Sequence, residues 1–310
     1  MSIEQLLQYN IAEKDTAITI GVFDGFHMGH QHIFEQLKQL AKKSDLIPLV
    51  ITFMNHPSEI LDKSFHPTYI SDPQTKIEYM RNFGINDIIP IEFSKEIAQL
   101  TAVEFINLLT TNFNMSYLVI GTDFALGHNR EGDLQTLSFL SSKIGFKIKI
   151  VDTLEINSSK ISSTTIRKLL TNGLVQKIPE LLGRKFSLKG NVISGSKRGH
   201  SLGFPTANLS INDKLLIPKL GIYATETKID SKIYPSCTSI GLRPTFYPKN
   251  NTPLIETHII NYNNDIYGKT IEVFFINRIR DEKKFTSSQK LIEQMNNDVD
   301  KAYKILKRSH

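Results

Sequence analysis

The sequence predicts an α/β chain of two domains: a covered parallel sheet over residues 1–182 and a small antiparallel barrel closed by a helix over 183–310. Three observations predict this. Apolar, β-branched runs alternate with segments of helical period through the first half, which is the pattern of βαβ units. Beyond residue 183 the strands crowd together and only turn residues separate them, as in a barrel of short strands. The length, 310 residues, suits one large domain or two ordinary ones, and the change of pattern favours two.

The elements follow in order. AITIGVF (17–23) is the first strand, and HQHIFEQLKQLAKK carries Ile33, Phe34, Leu37, Leu40 and Ala41 at helical spacing. LIPLVITF (46–53) is the next buried strand. KIEYMRNFG (76–84) is a helix ending at Gly84, and NDIIPIEF (86–93) a strand. AVEFINLLTTNF (102–113) is a helix, SYLVIG (116–121) a strand, TLSFLSSKIG (136–145) a helix and FKIKIVDTL (146–154) the fifth strand. SSTTIRKLLTNG and VQKIPELLG lead to the change of pattern. FSLKGNVI, TANLSI, GIYATETKI, KIYPSCTSIGL, LIETHIINY and TIEVFFINRI then read as strands, with IDSK and NYNNDIYG as turns. SSQKLIEQMNNDVDKAYKILKR closes the chain as a helix, with Leu291, Ile292, Met295, Val299, Ala302 and Leu306 on one stripe.

Composition narrows the class. Hydrophobic residues make up 40% and charged residues 22%, a globular mix able to bury a core. The single cysteine, Cys237, excludes a disulfide framework and a cysteine-rich zinc site. No window approaches about 18 uninterrupted apolar residues, and MSIEQLLQYNIAEKD lacks an apolar stretch with a cleavage site. A cytoplasmic protein with no membrane association is therefore expected. The balance of 37 basic to 31 acidic residues, net +6, fits a solvated basic surface, anionic small substrates or nucleic acid. No Lys/Arg block of five and no aromatic or basic RNA-reading motif is present, so no nucleic-acid partner is expected.

GVFDGFHMGHQ (21–31) lies where the first strand turns into the first helix, the carboxyl end of a strand, where ligands collect in parallel sheets. Gly21, Gly25 and Gly29 let a ligand approach the backbone. The new helix offers N–H groups that suit phosphate. His27 and His30 add imidazole donors fit to stabilise charge growing on an α-phosphate during nucleotidyl transfer. Two surface histidines on a glycine turn, or a metal held by His27, His30 and His32, are the alternatives; no carboxylate or cysteine follows at ligand spacing. In ISSTTIR (161–167), Ser162, Ser163 and Thr164 precede a helix as caps, and Arg167 one turn inside can reach a pyrophosphate or lie solvated. His56 and Asp123 each follow a predicted strand.

GNVISGSKRGHSLGFPTANL (190–209) opens the second domain. Gly195, Gly199 and Gly203 frame a basic turn with Lys197 and Arg198, whose amides can cradle phosphate. Thr206 and Asn208, two apart, face the same way on an extended strand and offer hard oxygen ligands suited to Mg²⁺; a solvent-facing polar pair is the alternative. Glu256, in LIETHII, has apolar neighbours that would raise its pKa toward that of a general base, with His258 on the same face; otherwise it is an exposed edge glutamate. Arg280 is available for a nucleotide or flavin phosphate, or for a surface ion pair with Asp281 or Glu282.

These strings carry a resemblance. His-x-Gly-His after the first strand resembles the nucleotidylyltransferase superfamily, and Gly-x-Phe-Asp-Gly-x-His-x-Gly-His-Gln resembles the bacterial bifunctional riboflavin kinase/FMN adenylyltransferases, or FAD synthetases. TFMNHP (52–57), GTDFALG (121–127), with Leu126 in place of the usual aromatic, and ISSTTIR follow in that family's order. Leu-Gly-Phe-Pro-Thr-Ala-Asn, Gly-Ile-Tyr (221–223), Gly-Leu-Arg-Pro-Thr-Phe (241–246), Glu-Thr-His (256–258), Tyr-Gly-Lys (267–269) and Arg-Asp-Glu-Lys-Lys-Phe (280–285) resemble the riboflavin kinase module. The resemblance implies a Rossmann-like nucleotidylyltransferase domain, 1–182, and a riboflavin kinase-like barrel, 183–310.

What it implies chemically is riboflavin plus ATP to FMN and ADP, then FMN plus ATP to FAD and pyrophosphate. Carried over, His27, His30 and Arg167 serve adenylyl transfer, with Gly21, Phe23, Asp24, Gly29, Ser163 and Thr164 about the ATP and His56 and Asp123 about the flavin. Gly195, Lys197, Arg198 and Gly203 would hold the kinase ATP, Thr206 and Asn208 Mg²⁺, Arg280 flavin, and Glu256 would be the base. The residue types agree: an alcohol nucleophile needs a proton acceptor, whereas the FMN phosphate, with a second pKa of about 6, needs none. Riboflavin, FMN and ATP are the expected partners, with a monomer or weak homo-oligomer. Rival readings are an adenylyltransferase acting on another phosphate ester and a flavin-storing barrel without turnover.

Overall fold

The computed structural model describes residues 14–62, 64, 68–156, 159–195, 203–242 and 253–308. The chain divides after Ser163 into two compact units.

In the first unit, β1 (Thr16–Gly21), β2 (Ile47–Phe53), β3 (Asp87–Ile91), β4 (Met115–Gly121) and β5 (Lys147–Val151) form one parallel sheet in the order β3-β2-β1-β4-β5. The chain builds outward from β1 on one side, then returns to build on the other, so β1 and β4 flank the point where the winding reverses. Ligand sites of such sheets lie at the carboxyl ends of the strands there. Alternation along the strands feeds two cores. Ile18, Ile20, Leu49 and Ile51 meet Phe105, Leu109 and Leu137 on one face. Ala17, Val50 and Val119 meet Phe34, Leu37 and Met80 on the other. A sheet buried on both faces explains why its strands read as continuous apolar runs.

The helices begin where their caps dictate. α1 (Met28–Ser44) follows the histidine turn. α2 (Pro57–Leu61) and α4 (Lys95–Gln99) are five residues each, too short to show a helical period in sequence. α3 (Pro73–Asn82) starts three residues before the expected position because Asp72 caps the amides of Gln74 and Thr75, with Pro73 at the first helical position. α5 (Ala102–Asn112) opens with a Thr101/Glu104 capping box, and α6 (Leu134–Ile144) ends at Gly145. The expected 146–154 strand stops at Val151; a two-strand ribbon follows, β6 (Glu155–Ile156) and β7 (Ser159–Lys160).

In the second unit, α7 (Ser163–Thr171) and α8 (Ile178–Leu182) precede β8 (Phe186–Ile193), β9 (Ala207–Ser210), β10 (Gly221–Ile229), β11 (Lys232–Leu242), β12 (Pro253–Ile259) and β13 (Thr270–Arg280). These six strands close an antiparallel barrel in the order β10-β11-β12-β9-β8-β13. α9 (Ser288–Lys307) lays Ala302 and Leu306 on Ala224 and Cys237, on the outer face of β10 and β11. The barrel interior is not wholly apolar. Thr225, Thr227, Ser236, Thr238 and Thr257 are fully buried and hydrogen-bonded in a chain, with Thr238 Oγ1 lying 2.7 Å from Thr225 Oγ1 and 3.0 Å from Thr257 Oγ1. Ser236, Thr225 and Thr238 each bond two neighbours and the end members Thr227 and Thr257 one, which offsets much of the desolvation cost.

Thr238→Val keeps the shape and takes away two of those bonds. The expected loss is about 1–3 kcal/mol of stability, read by denaturant unfolding; a loss below about 0.3 kcal/mol contradicts a shared network.

Candidate active sites

Leaving β1, the backbone of the first unit takes left-handed conformations at Phe23, Gly25 and Phe26 (φ 50, 73 and 40°). Gly25 supplies one of these at no steric cost, but Phe23 and Phe26 do not, so packing must hold them. Phe23 is buried edge-on between the His30 ring, 5.3 Å away, and the Phe34 ring, 5.0 Å away. Out of this turn His27 becomes the N-cap of α1, its Nδ1 accepting the His30 N–H at 3.3 Å. An imidazole that accepts at Nδ1 carries its proton on Nε2, so His27 is a donor there. The His27 and His30 rings stack with centroids 3.5 Å apart.

Burial, the adjacent His27 and the Lys76 ammonium hold His30 well below the ordinary histidine pKa, so it is neutral at pH 7. His30 Nδ1 is buried and has no hydrogen-bond partner among the described residues. Gly29 lies so close to the His27 ring and the Ile161 carbonyl that a Cβ would stand 3.2 Å and 3.5 Å from them. Asp24 is buried, and its carboxylate accepts from the Ile70 N–H at 3.0 Å and the Ser71 N–H at 3.4 Å. Ser163 Oγ donates to the Asp24 carbonyl at 3.0 Å, so the 161–167 motif is tied at its start to the histidine turn. Ser163 is the first residue of α7, two residues before the expected helix start, and its hydroxyl serves that tie. Thr164 is exposed and Arg167 half-buried on α7, in the second unit.

His56 repeats the device of His27. It caps α2, its Nδ1 accepting the Ser58 N–H at 3.2 Å, and Glu59 returns a bond to the His56 N–H at 3.2 Å, a capping box. The Tyr69 hydroxyl accepts from the same N–H at 2.7 Å and donates to Glu59, and burial raises its pKa. Asp123 sits exposed in an ion pair with Lys160 at 2.8 Å, and that hydrogen bond keeps its carboxyl below the usual range. Leu126, where an aromatic residue was the comparison, is half-buried against the core on the β4 side.

The second constellation assembles on the outer face of the barrel. Residues opposed across an antiparallel ladder lie on the same side of the sheet. Glu256 on β12 is opposed by Asn208 on β9 and by Ser239 on β11. The neighbouring residues Ile255, Thr257 and Leu209 point inward and are buried. Asn208 is itself buried, and its Oδ1 has no hydrogen-bond partner among the described residues. Gly195 rests on that amide, where a Cβ would come within 2.2 Å of Nδ2, so only glycine fits. Thr206 immediately precedes β9, and His258 Nδ1 lies 2.9 Å from the adjoining Pro205 carbonyl. His258 thereby fixes the approach to the Thr-Ala-Asn run, a role its sequence position did not suggest. Gly203 is exposed, and Lys197 and Arg198 lie outside the described residues. Arg280 pairs with the buried Asp298 of α9, Nε to Oδ1 at 2.9 Å, and its Nη1 donates to the Asp281 carbonyl at 2.8 Å. The Asp281 carboxylate pairs with Arg278 instead, at 2.6 Å. Among the described residues no cluster of three His, Cys, Asp or Glu could hold a metal ion.

With this geometry in hand, comparison with known proteins is specific. One family model, described as FAD synthetase, matches residues 10–165, and a second, described as riboflavin kinase, matches 182–306. A bifunctional riboflavin kinase/FMN adenylyltransferase of Buchnera aphidicola subsp. Schizaphis graminum is 36% identical over 93% of this chain and 93% of its own length. Proteins of the same description from Bacillus subtilis and Escherichia coli K12 are 34% and 31% identical, over 94% and 92% of this chain and 92% and 91% of theirs. A crystal structure described as a macrolide-efflux protein from Streptococcus pneumoniae matches with a TM-score of 0.86 at 31% identity, over 94% of this chain and 95% of that one. Among the described residues of the present chain, no helix is long and apolar enough to cross a membrane.

The depressed pKa of His30 has a signed consequence. Below about pH 6.5 the unfolded chain gains a proton that the folded one refuses. The stability is complete above that pH and is lost as the pH falls through the folded pKa. Thermal unfolding of the wild type should therefore decline between about pH 7 and 5 more steeply than that of His30→Gln. Parallel declines would contradict a neutral, buried His30.

Proposed function

We propose a division of labour for a chain that belongs to the bifunctional riboflavin kinase/FMN adenylyltransferase family. The C-terminal module is the riboflavin kinase, which makes FMN from riboflavin and ATP; the N-terminal module is the FMN adenylyltransferase, which joins FMN to the AMP part of a second ATP. We place their boundary at 182/183, just before β8. The observation that carries the division is the ladder pairing of Glu256 with Asn208, which unites a proton acceptor and an oxygen ligand on one outer face of the barrel.

In the kinase, the ribityl hydroxyl of riboflavin is a poor nucleophile until its proton has somewhere to go. Glu256 accepts that proton as the oxygen attacks the γ-phosphorus, and ADP leaves. Thr206 and Asn208 would hold Mg²⁺, and the unpartnered Asn208 Oδ1 beside Gly195 supports the fit. When bound, the ion would neutralise the ATP phosphates. Gly195 and Gly203, with Lys197 and Arg198 of the same motif, are assigned to the nucleotide, and Arg280, anchored through Asp298, orients the flavin side of the site.

In the adenylyltransferase, the FMN phosphate attacks the α-phosphorus of ATP and pyrophosphate leaves. That nucleophile is already ionised, so the site needs charge stabilisation and alignment rather than a base. His27 Nε2–H, the neutral His30 and the first amides of α1 meet the α-phosphate as pyrophosphate departs. Gly21 and Gly29 admit the nucleotide, Phe23 and Asp24 support the turn from below, and Ser163, bonded to the Asp24 carbonyl, approaches the phosphates. His56 and Asp123 face the flavin. Both reactions use ATP from solution, and a monomer or weak homo-oligomer in the cytoplasm meets every requirement.

Chromatography of the products from riboflavin, ATP and Mg²⁺ tests this. His30→Ala should still form FMN while FAD formation falls at least about 10²-fold. Glu256→Gln should convert supplied FMN to FAD while riboflavin phosphorylation falls about 10²-fold or more. Loss of both products in either folded variant would refute the division.

A further inference from the structure

One buried charge in the first unit has no part in the steps above. Lys76 lies on α3, is 3% exposed, and points its ammonium into the carboxyl end of the sheet. Nζ donates to the Val22 carbonyl at 2.8 Å and to the Phe53 carbonyl at 2.7 Å. Val22 follows β1 and opens the histidine turn; Phe53 is the last residue of β2 and opens the turn to His56. The clamp is reciprocal. Asp24, in the histidine turn, grips the Ile70 and Ser71 amides that lead into α3, while α3 returns Lys76 to the base of that turn. Burial of a cation is costly, and an apolar side chain would fill the space without that cost.

We propose that Lys76 is a positioning residue for adenylyl transfer: by holding the Val22 and Phe53 carbonyls together, it sets the distance between the histidine turn and the His56 turn. The proposal rests on the reading of the first unit as the adenylyltransferase. Among the described residues two titratable groups interact with the ammonium: Asp24, from the turn after β1, favours its charge, and His30, from α1, is in turn held neutral partly by it. The strand ends contribute carbonyls. Burial outweighs Asp24 and brings the lysine pKa down to about 8, so the clamp loosens just above neutral pH.

The test uses the full chain with FMN, ATP and Mg²⁺, measuring kcat and KM for FAD formation against pH, with thermal unfolding of each variant as the check that the first unit is folded and riboflavin phosphorylation in the same samples as the check on the second. Wild-type kcat should fall above about pH 8. Lys76→Met should lose at least about tenfold in kcat at pH 7, more than in KM, and lack that alkaline fall, with riboflavin phosphorylation within about twofold of wild type. Lys76→Arg, which keeps a donor and its charge, should recover part of the rate and also lack the fall. A wild-type kcat in Lys76→Met, or the same alkaline fall in Lys76→Arg, overturns the proposal. Should Lys76→Met lose both activities, the Lys76→Arg profile decides alone. A wild-type chain that makes no FAD at any pH would instead refute the adenylyltransferase reading.

Discussion

A backbone N–H or C=O left unpaired away from water costs free energy, and this chain meets that requirement at its element ends with the side chains that form its first site. His27 and His56 cap α1 and α2. Asp24 takes the amides of Ile70 and Ser71, Lys76 the carbonyls of Val22 and Phe53, and Ser163 the carbonyl of Asp24. The site is thus assembled by the same bonds that end strands and start helices. His27 and His56 are held in a set tautomer because the cap consumes Nδ1, and preorganisation of this sort spares a reaction the cost of arranging donors at the moment of transfer.

The barrel separates stability from chemistry in another way. Side chains alternate across a strand, so one ladder has two faces. The inner face carries the apolar core and the chain of threonine and serine hydroxyls; the outer face carries Asn208 and Glu256 on one side and the seat of α9 on another. A shift of one residue in β9 against β12 would bring Asn208 into the interior and leave Glu256 without its neighbour. The pair of half-buried Arg280 with buried Asp298 ties the end of β13 to α9, which relates the placement of the last helix to the strand nearest the proposed flavin side.

Much of this was legible in the sequence, for reasons that differ by residue. The strands 186–193, 221–229 and 232–242 are found at their expected bounds because alternation and turn residues mark both ends. The parallel strands were visible as apolar runs. α2 and α4 were not, since five residues do not complete two turns. Glycine spacing pointed to the histidine turn, but the left-handed Phe23 and the capping roles of His27 and His56 depend on backbone angles that no spacing reveals. Lys76 was invisible because lysine on a helix reads as solvent-facing, although it shares a stripe with Ile77 and Met80. For Arg280 the sequence offered a nucleotide or flavin phosphate, or an ion pair with its neighbours Asp281 or Glu282, whereas its carboxylate partner comes from a helix 18 residues on.

The account stands on two ATP pockets with different chemistry in one chain, one cleaving at the γ-phosphorus and one at the α. Isotope tracing reads this directly. With riboflavin and ATP labelled at the γ-phosphorus, label should enter FMN and remain in FAD; with ATP labelled at the α-phosphorus, label should enter FAD and be absent from FMN. Label from the α-position in FMN, or FAD without it, would contradict the account.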